Sequence, residues 1–179
     1  CNYWFHVHHL NDKSGKMSKS KGEFLTVSLL EKKGYDPLVY RMFCLQSHYR
    51  KPLEFSYEVL DNMTAAYEKL VKRIASLGRD GEVDQEKYAA FRTRFEEAVC
   101  DDLNSSMAIT VLYDMLKEDM NDATKYALAE DFDHVLSLNL TTAHAAKESG
   151  RQVDAELERY ILDRIEERKA AKKEKDFAR

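Results

Sequence analysis

Lys16, Met17, Ser18, Lys19 and Ser20 stand in a short stretch, Asn11 to Gly22, that also holds Lys13, Ser14, Gly15 and Lys21. Lysine brings a point charge on a long stem, serine a small donor, and glycine lets backbone N–H groups approach oxygen. A loop so cationic and so rich in small residues suits a polyanion. Phosphate is the polyanion these donors fit. A solvated loop that only links a strand to a helix is the ordinary alternative for these residue types.

Other residues invite chemistry less strongly. His6 and His8 alternate on one face of an extended segment, a workable two-ligand metal spacing, with His9 beside them. No Cys, Asp or Glu completes such a set, so no metal site is expected in this chain. Cys1, Cys44 and Cys100 have no paired spacing. Cys44 and Cys100 fall in apolar helical patterns and are expected as buried thiols, which fits a reducing, cytoplasmic setting. Tyr3 and Trp4 are expected in the core.

The elements that must position these groups read clearly. Tyr3 to Leu10 is aromatic and partly alternating, a strand signal. After the lysine loop, Thr26 is placed to cap a short helix over Val27 to Lys33, with Gly34 ending it. Asp36-Pro37 opens a second helix, with Leu38, Arg41, Met42 and Leu45 on one side. His48 to Pro52 breaks that pattern and marks a boundary.

Long helices follow. Ser56 caps the first, with Leu60, Met63, Tyr67, Leu70, Val71 and Ile74 on one face. Another runs from about Asp84 to Cys100 on a Tyr88, Phe91, Phe95 and Val99 stripe. Asn104 opens a third, with Ala108, Val111, Leu112, Met115 and Leu116 inward, and a fourth covers about Ala123 to Leu138. Residues 139–150 read as an exposed loop. A last helix from Val153 enters a basic tail, where Arg164, Arg168, Lys169, Lys172 and Lys173 partly align; a phosphate-contacting face and a plain solvated face both stand open.

Composition bounds the class. The chain has 179 residues, 34% of them charged, with only six Gly and two Pro, a helix-rich balance. Its formal net charge of −4 excludes a uniformly basic nucleic-acid binder. Local charge differs: residues 11–33 and 164–179 each carry a net +3, whereas residues 80–104 hold eight acids against three bases. No apolar run approaches the ~20 residues that cross a bilayer. The chain starts without methionine and stops inside a charged helical pattern, so it is expected to be an excerpt of a longer protein.

The spelling KMSKS at residues 16–20 resembles the signature loop of class I aminoacyl-tRNA synthetases. Adding Tyr3-Trp4-Phe5-His6, Asp36-Pro37-Leu38-Val39-Tyr40-Arg41, His48-Tyr49-Arg50, Asp101-Asp102-Leu103-Asn104 and the late Ile165-Glu166-Glu167-Arg168 narrows the resemblance to cysteinyl-tRNA synthetases, over nearly the whole chain. That resemblance implies cysteine activation by ATP and transfer to tRNA(Cys). It implies ATP contact by Lys16, Met17, Ser18, Lys19 and Ser20, with Lys19 and Lys16 catalytic. It also implies a zinc ion in the full-length enzyme whose ligands lie upstream of Cys1. Two departures stand out: Lys21-Gly22-Glu23 where the family often has Leu-Gly-Asn, which brings an acid near the phosphates, and His8 where it often has glycine.

The expected fold is mainly α. Residues 1–52 form a strand–loop–helix remnant of an α/β catalytic domain with a stem-contact segment. Residues 53–179 form an antiparallel helical bundle facing the tRNA anticodon arm. Expected partners are tRNA(Cys), cysteine and ATP, with no membrane and a monomeric state; the piece alone is expected not to catalyse. His48-Tyr49-Arg50 would contact the acceptor stem or pack the domain junction. Competing readings are a ligase that joins cysteine to a small amine and a non-catalytic helical RNA-binding module. A HIGH-type motif and thiol-binding zinc ligands upstream would separate the synthetase from the module.

Overall fold

The computed structural model describes residues 1–2, 4–12, 15–16, 25–142 and 164. The chain divides into two compact units, Cys1–His144 and Ala145–Arg179. The last helix and its basic face lie outside the described residues except for Arg164, which is helical.

In the first unit, strands β1 (Leu10–Asp12) and β2 (Gly15–Lys16) precede helices α1 (Val27–Lys32) and α2 (Pro37–Leu45). Strand β3 (Leu53–Glu54) leads into α3 (Tyr57–Ala75), α4 (Gln85–Cys100), α5 (Ser105–Lys117) and α6 (Asp122–Leu136). The strands form one small sheet in the order β2-β1-β3. β1 runs antiparallel to β2, with Asn11 opposite Lys16, and parallel to β3, with Leu10 opposite Leu53.

Each of α1 to α6 starts where a short polar side chain can replace a missing backbone acceptor. Thr26, Asp36, Ser56, Asp84, Asn104 and Asn121 all accept hydrogen bonds from N–H groups in the first turn. Pro37 begins α2, where its missing N–H costs nothing. Gly34 follows α1 with φ +89°, a backbone conformation open to glycine.

One hydrophobic core joins α1 through α6. The α3 stripe is buried as expected: Leu60, Met63, Tyr67, Leu70, Val71 and Ile74. So are Ala108, Val111, Leu112, Met115 and Leu116 of α5, joined by Ile109. Phe95 of α4 and Phe132 of α6 stack with centroids 4.1 Å apart and planes 6° from parallel. Each fully buried large apolar side chain contributes roughly 1.5–3 kcal/mol of transfer free energy, largely offset by conformational entropy. α4, α5 and α6 pack on one another, α2 on α3 and α5, and α1 on α2.

The loop between α3 and α4 is fastened to the start of α6. Gly78 N donates to Asp122 Oδ2 at 3.2 Å, Asp84 N to Thr124 Oγ1 at 2.9 Å, and Asn121 Nδ2 to the Glu82 carbonyl at 2.9 Å. Thr124 is the buried polar residue this requires.

Five sequence expectations need correction. Tyr3 lies outside the described residues; among those described, residues 4–9 of the expected strand carry no ladder and β1 starts at Leu10, because a partner strand is met only from there. In α2 the buried residues are Val39, Met42 and Phe43, with Leu38 and Leu45 only partly buried and Arg41 exposed, since this helix packs on α1, α3 and α5. Cys100 is exposed at the end of α4 and Cys44 only half-buried. Trp4 is 79% exposed, not a core residue. Leu140, placed in an exposed loop by its polar surroundings, is fully buried, as is Leu138.

Candidate functional site

The lysine loop is held at both described ends. Lys16 closes the hairpin as the last residue of β2, paired through its backbone with Asn11. At the other end, Leu25 packs against the core and Thr26 caps α1. Met17, Ser18, Lys19 and Ser20 lie outside the described residues, so the structure gives the loop's points of departure and return.

A second constellation is drawn together by the fold. His48, Tyr49 and Arg50 follow α2, and Asp102 sits in the turn between α4 and α5. Asp102 Oδ1 accepts from the Tyr49 hydroxyl at 2.6 Å and from Arg50 Nη2 at 3.1 Å. Its Oδ2 accepts from Arg50 Nε at 2.6 Å. This is the two-pronged guanidinium–carboxylate geometry that adds specificity to charge. The His48 ring closes the group: Nδ1 accepts the Arg50 backbone N–H at 3.3 Å, which leaves Nε2 to donate to the Asp102 carbonyl at 3.1 Å. Both contacts are satisfied together by the neutral tautomer protonated on Nε2.

The backbone at this turn is unusual. Asp102 and Leu103 have φ of +53° and +55°. Aspartate tolerates the left-handed region; for Leu103 it costs roughly 1–2 kcal/mol, and such a conformation persists only where the surroundings over-determine it. Here the surroundings are the clamp on one side and the Asn104 cap of α5 on the other.

The electrostatics follow from these contacts. The Arg50 guanidinium first, then the Tyr49 hydroxyl, hold the Asp102 carboxyl down at about 2, against an ordinary 3.8. The same carboxylate pushes the Tyr49 phenol up and makes Arg50 hold its proton more firmly. Arg50 also lies over the Tyr49 ring, 5.1 Å from its centroid. On its other contacts Tyr49 stacks with Phe5 at 4.4 Å and with His48 at 4.8 Å.

Beside the clamp is an open cleft of about 780 Å³, walled by His48, Arg50 and Lys51 on one side and by Asn104, Met107 and Tyr113 on the other. Among the described residues, no group of three or more His, Cys, Asp or Glu is placed to hold a metal. His6 stacks on Trp4 at 6.2 Å, and His8 uses its backbone N–H to bond the Tyr49 carbonyl. No described helix is long and apolar enough to cross a membrane.

Sequence reasoning singled out both the His48-Tyr49-Arg50 and the Asp101-to-Asn104 segments but assigned no contact between them. Asp102 was therefore missed as the partner of all three. The one available signal was an acidic residue at a break between two helices, which is common in loops.

Comparison with known proteins now separates the parts. Residues 1–66 match the family described as the catalytic domain of class I (C) tRNA synthetases, and residues 94–162 match the DALR domain. The chain thus carries sequence of a class I tRNA synthetase catalytic domain followed by sequence of a DALR domain. A cysteine–tRNA ligase of Novosphingobium aromaticivorans is 40% identical, aligned over 98% of this chain and 37% of its own length. Cysteine–tRNA ligase 1 of Burkholderia lata is 37% identical over 99% and 36%, respectively, and the enzyme of Finegoldia magna 35% identical over 99% and 39%. The chain belongs to the cysteinyl-tRNA synthetase family, and it spans between a third and two fifths of the length of these relatives.

Proposed function

We propose that this chain is part of an enzyme that joins cysteine to tRNA(Cys) at the expense of ATP. In the first step a carboxylate oxygen of cysteine attacks the α-phosphorus of ATP, the bond to the bridging oxygen breaks, and pyrophosphate leaves. In the second the cysteinyl group passes to the terminal adenosine of the tRNA, releasing AMP. The observation that carries this reading is the alignment of cysteine–tRNA ligases over nearly the whole chain, signature loop and helices alike.

Residues 1–52 supply the end of the catalytic part and residues 53–179 the tRNA-facing part. Lys19 stabilises the negative charge developing on pyrophosphate, and Lys16 supports loop closure or phosphate contact. Met17, Ser18 and Ser20 complete the ATP-contacting loop. Fixed cations aimed at charge that appears only in the transition state raise kcat more than they tighten substrate binding. Lys16 at the end of a paired strand supports this role, because a loop launched from a fixed point loses less entropy on closing. The DALR match favours tRNA over a small amine as acceptor. A zinc ion that holds the substrate thiolate would take its ligands from outside this chain. The enzyme works as a monomer in the cytoplasm.

Cysteine-dependent exchange of pyrophosphate into ATP, measured on the full-length protein, tests this. Lys19→Ala should lower kcat by about 100- to 1000-fold, the loss typical of one such donor, with little change in KM for cysteine. An unchanged kcat removes Lys19 from the chemistry. No exchange in the unsubstituted protein removes the ligase assignment.

A further inference from the structure

We propose that Asp102 is a positioning residue that couples the helical part of the chain to the strand carrying the lysine loop. This rests on the ligase reading above and extends it to how RNA held by the helices is placed relative to that loop.

Two connections leave the clamp: one reaches the segment just ahead of β1, the other β1 itself. The first runs through Tyr49, whose carbonyl accepts the His8 N–H at 2.8 Å and whose ring stacks on Phe5 at 4.4 Å. His8 stands just ahead of Leu10, where β1 begins. The second follows the backbone from Arg50 into β3, the parallel partner of β1, and ends on Phe55 N donating to the Asn11 carbonyl at 2.7 Å. Asn11 in turn pairs with Lys16 across β1 and β2. Hydrogen bonds, ring contacts and short runs of backbone therefore join the α4–α5 turn to the sheet from which the lysine loop departs.

Adenylate formation needs the loop, ATP and cysteine. Transfer also needs the RNA end delivered to that place. A clamp that fixes the helical part against β1 matters for the second requirement and not the first. Removing its charge should split the two reactions, which a loss of general stability does not do.

Asp102→Asn removes the charge and one acceptor oxygen while sparing the backbone, because asparagine also accepts the left-handed conformation that Asp102 adopts. In the full-length protein it should leave tRNA-independent pyrophosphate exchange within about twofold of the unsubstituted rate. It should lower kcat/KM of cysteinylation with respect to tRNA by about tenfold, a size typical of coupling between sites. Tyr49→Phe removes one hydrogen bond and keeps the ring stack, so it should give a smaller split in the same direction even if Asp102→Asn fails to fold. Val71→Ala, buried in α3 away from the clamp, is the stability control and should show no split. Equal losses in both reactions, or no loss in either, for both clamp variants overturn the coupling while the ligase reading stands. Exchange missing from the unsubstituted protein overturns the ligase reading and the coupling with it.

Discussion

Arg41 Nε donates to the backbone carbonyl of Leu136 at 2.7 Å, so a side chain of α2 completes the last turn of α6, 95 residues away in sequence. The final carbonyls of a helix have no partner within it, and the negative end of its dipole favours a cation there. Arg41→Ala removes both contributions. Folding stability should fall by about 1 kcal/mol, the usual worth of one such bond at a partly exposed site. A urea melt reads this as a lower midpoint at unchanged slope. An unmoved midpoint means the carbonyl is served equally well by water.

Asp133 has a heavier task after α6. Its Oδ1 accepts from Leu138 N at 2.7 Å and its Oδ2 from Leu140 N at 2.8 Å, while Ser137 and Asn139 adopt φ of +51° and +58°. The two leucines that follow this turn are fully buried. Asp133→Ala leaves two inward N–H groups without acceptors and should cost about 2–4 kcal/mol. Asp133→Asn keeps one acceptor oxygen and should cost about half as much. Equilibrium denaturation of the two variants gives both values, and equal small losses would show that the turn reorganises.

The Asp102 clamp makes part of the acid stability predictable. Its carboxyl sits at about 2 in the folded chain, below its ordinary 3.8, because Arg50 and then Tyr49 favour the charged form. A depressed carboxyl pKa contributes stability that is complete above the unfolded value and is lost as pH falls through the folded one. The loss therefore falls between about pH 4 and pH 2. A carboxyl-carbon NMR titration should place the Asp102 midpoint near the lower limit. A midpoint at the ordinary value means the clamp is open in solution. Asp102 is half-exposed, so added salt should weaken the effect.

Much of the fold was legible in the chain because helix starts and helix faces are local properties. The caps at Thr26, Asp36, Ser56 and Asn104 follow from short polar side chains ahead of apolar periodicity, and the faces of α3 and α5 from spacing alone. The β1 segment was misplaced for a physical reason: alternation reports a preference for extended backbone, but a strand exists only where a second strand supplies hydrogen bonds. That partner, Leu53–Glu54, is too short to announce itself. The orientation of α2 failed likewise, because it packs on α1, α3 and α5 at once, and the burial of Leu140 because the turn held by Asp133 carries it into the core.

The lysine signature and the layout of a short strand–loop–helix front followed by long helices were set by residue types and spacings a few positions apart, where side-chain chemistry and backbone geometry act within a turn or two. The meeting of His48, Tyr49 and Arg50 with Asp102 was decided only when the core closed. A carboxylate chooses partners by distance in space, and no local rule places residue 102 within 3 Å of residues 49 and 50 until α2 has packed on α3 and α5.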